Sequence, residues 1–163
     1  MSPQVVPGGP SWLDGEMRDA LAVINLCLAF YNVGTIWANE VDIFRSWKLL
    51  EDATFHKVHA VHWRKIPFWI FIPYGLFFAL SILLIWYHPA GSPTWAIWGN
   101  LACFVLAIAL TAVFWARWQA KLESDNTVGG RSPWLKRILD THWIRVVLVN
   151  ASAGFALVLV VAA

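Results

Sequence analysis

The chain alternates long apolar stretches with short polar ones, and the apolar stretches have the length of bilayer crossings. Residues 21–44, 67–87, 95–118 and 143–163 each approach the roughly 20 apolar residues that a helix needs to cross a hydrocarbon core. The first is not a plain lipid-facing helix. It carries Asn25, Asn32 and Asn39 at intervals of seven, followed by Glu40 and Asp42. Seven residues are close to two helical turns, so the three amides drift by only about 20° per step and form one stripe. An amide without a partner is costly in hydrocarbon, so the stripe is expected to face other protein or a wet cavity. The pattern predicts an all-α fold, a four-transmembrane-helix bundle with the first helix at its centre, in a single membrane domain over residues 1–163.

The linking segments add detail. Residues 1–19 read as a polar, irregular lead-in with a short interfacial turn at Trp12, and they lack the basic and apolar regions of a signal peptide. Residues 43–66 hold no Gly or Pro and predict an amphipathic helix with Trp47, Leu50, Val58 and Val61 as its apolar stripe. It either lies on the membrane surface or continues the first span, and Pro67 ends or kinks it. Pro73 and Gly75 predict a kink within the second span. Residues 88–94 form a tight turn. Residues 119–141 read as a polar loop with Gly129-Gly130 as a turn signal. Within it, Ser132-Pro133 marks the start of a short helix over 134–140, ahead of the fourth span. That span holds a small-residue patch, Ala151–Gly154, of the kind that lets helix backbones approach closely.

Composition agrees with the pattern. The chain has 163 residues, 59% hydrophobic and 13% charged, with 12 Trp, which is too apolar for a soluble domain of this length. The net charge of +2 is small. Its basic residues gather in two links: Arg45, Lys48, Lys57, Arg64 and Lys65 in the first, Arg117, Lys121, Arg131, Lys136 and Arg137 in the third. That distribution speaks for topology and against nucleic-acid binding. By the positive-inside rule both basic loops are cytoplasmic and both termini lie outside, in a multi-pass protein of the plasma (inner) membrane. The bilayer is then the chain's obligatory partner. Trp86, Trp95 and Trp98 would mark the outer interface, and Trp47, Trp63, Trp115, Trp118 and Trp143 the inner one. Cys27 and Cys103 are expected to be buried free thiols.

Two constellations carry candidate chemistry. Glu40 and Arg145 both lie a few ångströms inside the same end of the bundle, which predicts an ion pair with Asn39 and Asn150 nearby, walling a pocket. On the 43–66 helix, Asp52, His56 and His59 are spaced four and three and share one face, with Trp63 four residues further on; His62 is displaced from His59 by about 60°. A carboxylate and two imidazoles on one face suit a divalent metal or general acid–base work, and a solvated polar face is the alternative. Glu51 or His142 would complete a metal set. No His falls in mid-span, which disfavours bundle haem, and there is no phosphate-binding glycine loop or nucleophilic triad.

Several of these residues resemble a known plan. Asn39-Glu40 near the end of the first span, Trp47-Lys48 and His56–Arg64 in the first link, and Trp143-Ile144-Arg145 opening the last span are similar to features of the anthrone oxygenase-like family of small four-helix membrane proteins. The third-span end, Phe-Trp-Ala-Arg-Trp-Gln at 114–119, departs from that family's Pro/Asn-containing end. The resemblance implies a cofactor-independent oxygenase type of oxidoreductase acting on a polycyclic aromatic, with oxygen inserted at an activated carbon after proton removal.

These residues support three functional readings. In the first, an enzyme takes a lipophilic small molecule into a pocket at the cytoplasmic end. Glu40, His56 or His59 acts as base, Arg145 and Asn150 position or stabilise an oxyanion, and Asn32, Trp37, Asn39 and Trp63 line the pocket. No cofactor is required beyond the candidate divalent metal. In the second, the chain is a non-enzymatic subunit of a larger membrane complex or a homo-oligomer, with Ala151–Gly154 facing another protein. In the third, a transporter or channel, Asn25, Asn32 and Asn39 line a wet path.

Overall fold

The computed structural model describes residues 11–124 and 132–162, without the side chains of residues 11–14 and 52. The lead-in at 1–10, the surroundings of Trp12 and the Gly129-Gly130 turn lie outside these. Four helical rods make the bundle, and by length and composition each can cross a membrane: Gly15–Leu49, Ala53–Leu83, Thr94–Glu123 and Pro133–Val161. Their outward faces are apolar, with Phe30, Phe68, Leu76, Val105 and Val147 among the exposed side chains. The chain is built as a multi-pass membrane protein whose bundle sits against lipid.

The first rod is α1 (Ser11–Ala38), then a π-helical turn (Asn39–Ile43), one α turn (Phe44–Ser46) and a 3-10 turn (Trp47–Leu49). Its buried positions run Ala22, Asn25, Ala29, Asn32, Thr35, Ile36, Asn39, Glu40, Phe44 and Trp47. They recur at steps of three and four, with adjacent pairs at Thr35-Ile36 and Asn39-Glu40, and make a continuous inward seam on which the seven-spaced amides fall as their period requires.

The chain breaks at Leu50-Glu51, where the backbone turns extended. The segment 43–66 is therefore not helical throughout. Beyond the break, α2 (Asp52–Ile66) is continuous with the second span through a π turn (Pro67–Phe71) and α3 (Ile72–Leu83). It neither lies along the surface nor extends the first span. Pro67 opens the π turn instead of ending the helix: inside a continuous helix its missing N–H and its ring disrupt the regular four-back bonding, and the wider winding accommodates them. The expected apolar stripe is also revised. Val58 and Val61 are exposed, whereas Phe55 and His59 point inward with Trp47.

A turn with Gly91 at φ 89° leads into α4 (Thr94–Leu110), a third π turn (Thr111–Trp115) and α5 (Ala116–Glu123). A positive φ strains any residue with a Cβ, so glycine belongs there. The last rod, α6 (Pro133–Val161), is one unbroken helix, so residues 134–140 are its first turns and not a separate helix. It packs against α1 and α4, and α3 closes the bundle by packing against both of these as well. The small patch is spent inside the bundle: Ser152 and Ala153 are buried, and of Ala151–Gly154 only Gly154 is exposed. Both cysteines are free, but neither is buried: Cys27 is exposed on the apolar flank and Cys103 is half-buried.

The core is layered along the axis. At the end carrying the 88–94 turn, Ala22, Leu84, Ala96, Ile97 and Leu159 pack together. Beneath them lies an amide knot. Asn25 Nδ2 donates to Ser81 Oγ at 3.0 Å, Asn100 Nδ2 donates to Asn25 Oδ1 at 3.1 Å, and the Ser152 hydroxyl is 2.7 Å from Asn100 Oδ1. One residue from each rod contributes, so the knot links all four at one level. Next come two apolar layers, one around Phe77 and Phe104, the other around Ile36, Ala107, Val146 and Val149. The basic end closes on an aromatic cluster of Phe44, Trp47, Phe55 and Trp115 with Leu122, Leu135, Ile138 and Leu139.

Candidate functional site

Three of the four rods change from α to π winding at the same level, between the Val146 layer and the aromatic cluster. A π turn widens the helix by one residue and leaves a carbonyl short of its usual partner. Glu40 O, inside the first π turn, takes Arg45 Nε at 3.3 Å; Asn39 Nδ2 and Thr111 Oγ1 turn back to carbonyls ahead of their π turns, Thr35 O at 2.8 Å and Ala107 O at 2.7 Å, the latter also accepting the Thr111 backbone N–H. The widened turns surround a cavity of about 420 Å³ whose lining includes Asn39, Phe44, His62, Trp63, Tyr74, Phe78, Thr111, Trp115, Gln119 and Arg145. That volume lies within the roughly 300–1,000 Å³ typical of small-molecule sites.

The cavity has a side door. Phe71 and Gly75 of the second rod and Ile108, Ala112 and Ala116 of the third also line it, and all five are exposed. The third-rod residues are spaced by fours on one face, and a Cβ added at Gly75 would meet nothing within 4 Å. The opening therefore faces the flank of the bundle, where acyl chains lie, and not the polar end alone.

Behind the cavity wall runs a chain of polar contacts. Glu40, 1% exposed, takes Arg45 on Oε1 and lies 2.8 Å from His142 Nδ1 through Oε2. His142 Nε2 is in turn 2.6 Å from Arg145 Nη2. A guanidinium can only donate, so Nε2 must be the unprotonated nitrogen and Nδ1 carries the proton donated to Glu40. The imidazole is a neutral, fixed tautomer that holds Arg145 against the cavity. Arg145 also donates to Thr111 Oγ1 at 3.4 Å and has its guanidinium 5.2 Å from the Trp115 ring centre.

Sequence-predicted residues divide clearly. Asn39, Trp63 and Arg145 line the cavity. Glu40 stands one residue behind it, and its partners are Arg45 and His142, so the expected direct Glu40–Arg145 pair is replaced by a relay through His142. Asn32 is buried with both amide atoms unpartnered among the described residues, and it is not part of the lining. Trp37 and Asn150 point to a different flank, where the indole is 3.5 Å from Asn150 Oδ1 and edge-on to Trp143.

The histidines also separate. His59 is a core residue, stacked 5.3 Å from Phe55, with Nε2 3.1 Å from both Trp63 Nε1 and Gln119 Oε1. That nitrogen can accept from the indole or donate to the amide, not both. His56 is exposed, so it and His59 do not converge. Among the described residues, no three His, Cys, Asp or Glu side chains gather to hold a metal, and the Asp52 side chain lies outside these. The imidazole that does reach the cavity is His62, edge-on to Trp47 at 5.2 Å and hydrogen-bonded to no described residue. Sequence reasoning does not single out Tyr74 or Thr111 as site residues, notes His62 only as displaced from His59, and offers His142 only as a completing metal ligand, not as the brace of Arg145. His62 has one available signal, its four-residue spacing to Ile66, another lining position.

No family model, curated protein or solved structure matches the chain.

Proposed function

We propose that the protein is a membrane enzyme of the oxygenase type, acting on a lipophilic aromatic molecule that it takes from the bilayer. The observation that carries this reading is the apolar, side-opening cavity with one unbonded imidazole, His62, and one braced guanidinium, Arg145, in its wall. Aromatic rings give the cavity affinity for a flat ring system. The polar pair gives it chemistry: His62 removes a proton from an activated ring methylene, and Arg145 steadies the oxyanion that forms on the carbonyl oxygen conjugated with it across the ring. The electron-rich carbon then reacts with dioxygen. One oxygen atom forms the new C=O, and the other leaves as water with the two hydrogens of the methylene. The positive-inside rule supports a cytoplasmic location for this end of the bundle.

The test is oxygen uptake by the purified protein in detergent or nanodiscs with anthrone as the probe. Uptake above the spontaneous rate, lost in His62→Gln, is the expected result. A rate equal to protein-free buffer, with the chain folded, would remove the enzymatic reading.

A further inference from the structure

The polar chain behind the cavity does not balance its charge. It contains two guanidinium groups, Arg45 and Arg145, one carboxylate, Glu40, and an imidazole whose hydrogen bonds keep it neutral. Glu40 is committed to Arg45 and to His142. Among the described residues no carboxylate lies within salt-bridge distance of Arg145, whose contacts are a neutral ring nitrogen, a hydroxyl and an aromatic face. Among those same residues Arg145 Nε has no partner, nor has Asn39 Oδ1 on the facing rod, although both residues line the cavity. The Asn39 Nδ2 bond to Thr35 O fixes which end of that amide is free. A half-buried guanidinium without a counter-ion is costly in so apolar a setting, and a bound anion is the simplest way to complete it.

From this we infer that the cavity's resting ligand is a monoanion: a ring compound bearing a carboxylate or an ionised phenol, its charge on Arg145. The inference rests on the cavity being a ligand site and adds the charge of what fills it. Arg145 is then the specificity-determining residue. Glu40 and His142 are positioning residues that hold the guanidinium without cancelling it. A bidentate or charge-assisted contact of this kind favours the ionised ligand strongly over its neutral isostere.

A matched pair of probes tests it on the full chain in nanodiscs: anthraquinone-2-carboxylate and its methyl ester, followed by quenching of tryptophan fluorescence, since Trp63 and Trp115 line the cavity. The acid should bind at least about tenfold more tightly than the ester. Arg145→Gln should abolish that preference while keeping ester affinity, and Arg145→Lys should restore part of it. Equal affinities in the unaltered protein would overturn the anion inference and leave the cavity as a neutral-ligand site. Failure of both probes to bind would overturn the ligand-site reading itself. The comparison on the unaltered protein decides the charge even if Arg145→Gln does not fold.

Discussion

His142 Nδ1 and Glu40 Oε2 lie 2.8 Å apart although 102 positions separate them, and this contact ties the last rod to the π turn of the first. Both groups are essentially inaccessible, 0% and 1% exposed at the side chain. Glu40→Gln removes the carboxylate that holds Arg45 and His142. A fully buried pair would lose roughly 3–5 kcal/mol. Arg45 is 42% exposed and regains water, so the expected cost is about 2–3 kcal/mol. Reversible unfolding in mixed micelles should also show that Glu40→Gln and His142→Gln together cost less than their sum by about 1 kcal/mol or more. Glu40→Gln with Arg145→Met should couple more weakly, because the two act through the imidazole.

The three histidines of α2 should answer differently to the same substitution. His62→Gln removes the cavity's unbonded imidazole and should lower turnover by about 10²–10⁴ while leaving the unfolding midpoint nearly unchanged. His59→Leu breaks the Trp63 and Gln119 contacts inside the aromatic cluster and should cost stability instead. His56→Gln, on an exposed residue, should change neither. A turnover loss in His56→Gln equal to that in His62→Gln would move the site to the other face of the helix.

The bundle was legible in the sequence because its signals are local. Span length follows from hydrocarbon thickness, and the seven-residue amide period is a direct statement of which face of α1 turns inward. The site was legible only in part. Asn39, Trp63 and Arg145 announced themselves as polar or amphipathic groups near a span end. Three determinants had no local mark. The π turns at Asn39, Pro67 and Thr111 shift the facing of everything after them by about a quarter turn or more, which a 3.6-residue period does not anticipate. The break at Leu50-Glu51 lies in a segment free of Gly and Pro. His142 stands between two charges that look complementary on paper, so its role needs three-dimensional neighbours to be seen.

Two glycines should respond in opposite senses. At Gly75 a Cβ enters open space at the cavity mouth, so Gly75→Leu should leave folding intact and slow ligand uptake from the membrane. Gain of helix propensity, about 1 kcal/mol relative to glycine, should even raise the unfolding midpoint. At Gly99 a Cβ would stand 2.9 Å from three ring atoms of Phe155, where α4 and α6 approach closely. Gly99→Ala should therefore cost about 1–3 kcal/mol by overpacking, and Phe155→Leu should relieve part of it. Stopped-flow quenching separates the two effects, because only the Gly75 variant should change the association rate without loss of stability.

The amide knot gives a control that separates scaffold from site. Asn100 donates to Asn25 Oδ1 at 3.1 Å, and its own Oδ1 accepts from Ser152 at 2.7 Å, so Asn100→Leu removes both contacts at once. Ser152 keeps the Asn100 backbone carbonyl at 3.0 Å, which is untouched by the substitution, whereas Asn25 Oδ1 loses its donor outright. Interhelical bonds of this kind contribute about 0.6–2 kcal/mol each, since the unfolded chain in the membrane also finds partners; the expected cost is about 1–2 kcal/mol. Two apolar layers, one at Phe77 and Phe104 and one at Ile36 and Ala107, stand between the knot and the cavity. Turnover and probe affinity per folded molecule should therefore be unchanged in Asn100→Leu. Should affinity fall at unchanged stability, the unpartnered Asn32 amide between the two layers would have to be counted as a link from the knot to the site, and the cavity would reach deeper into the membrane than its lining indicates.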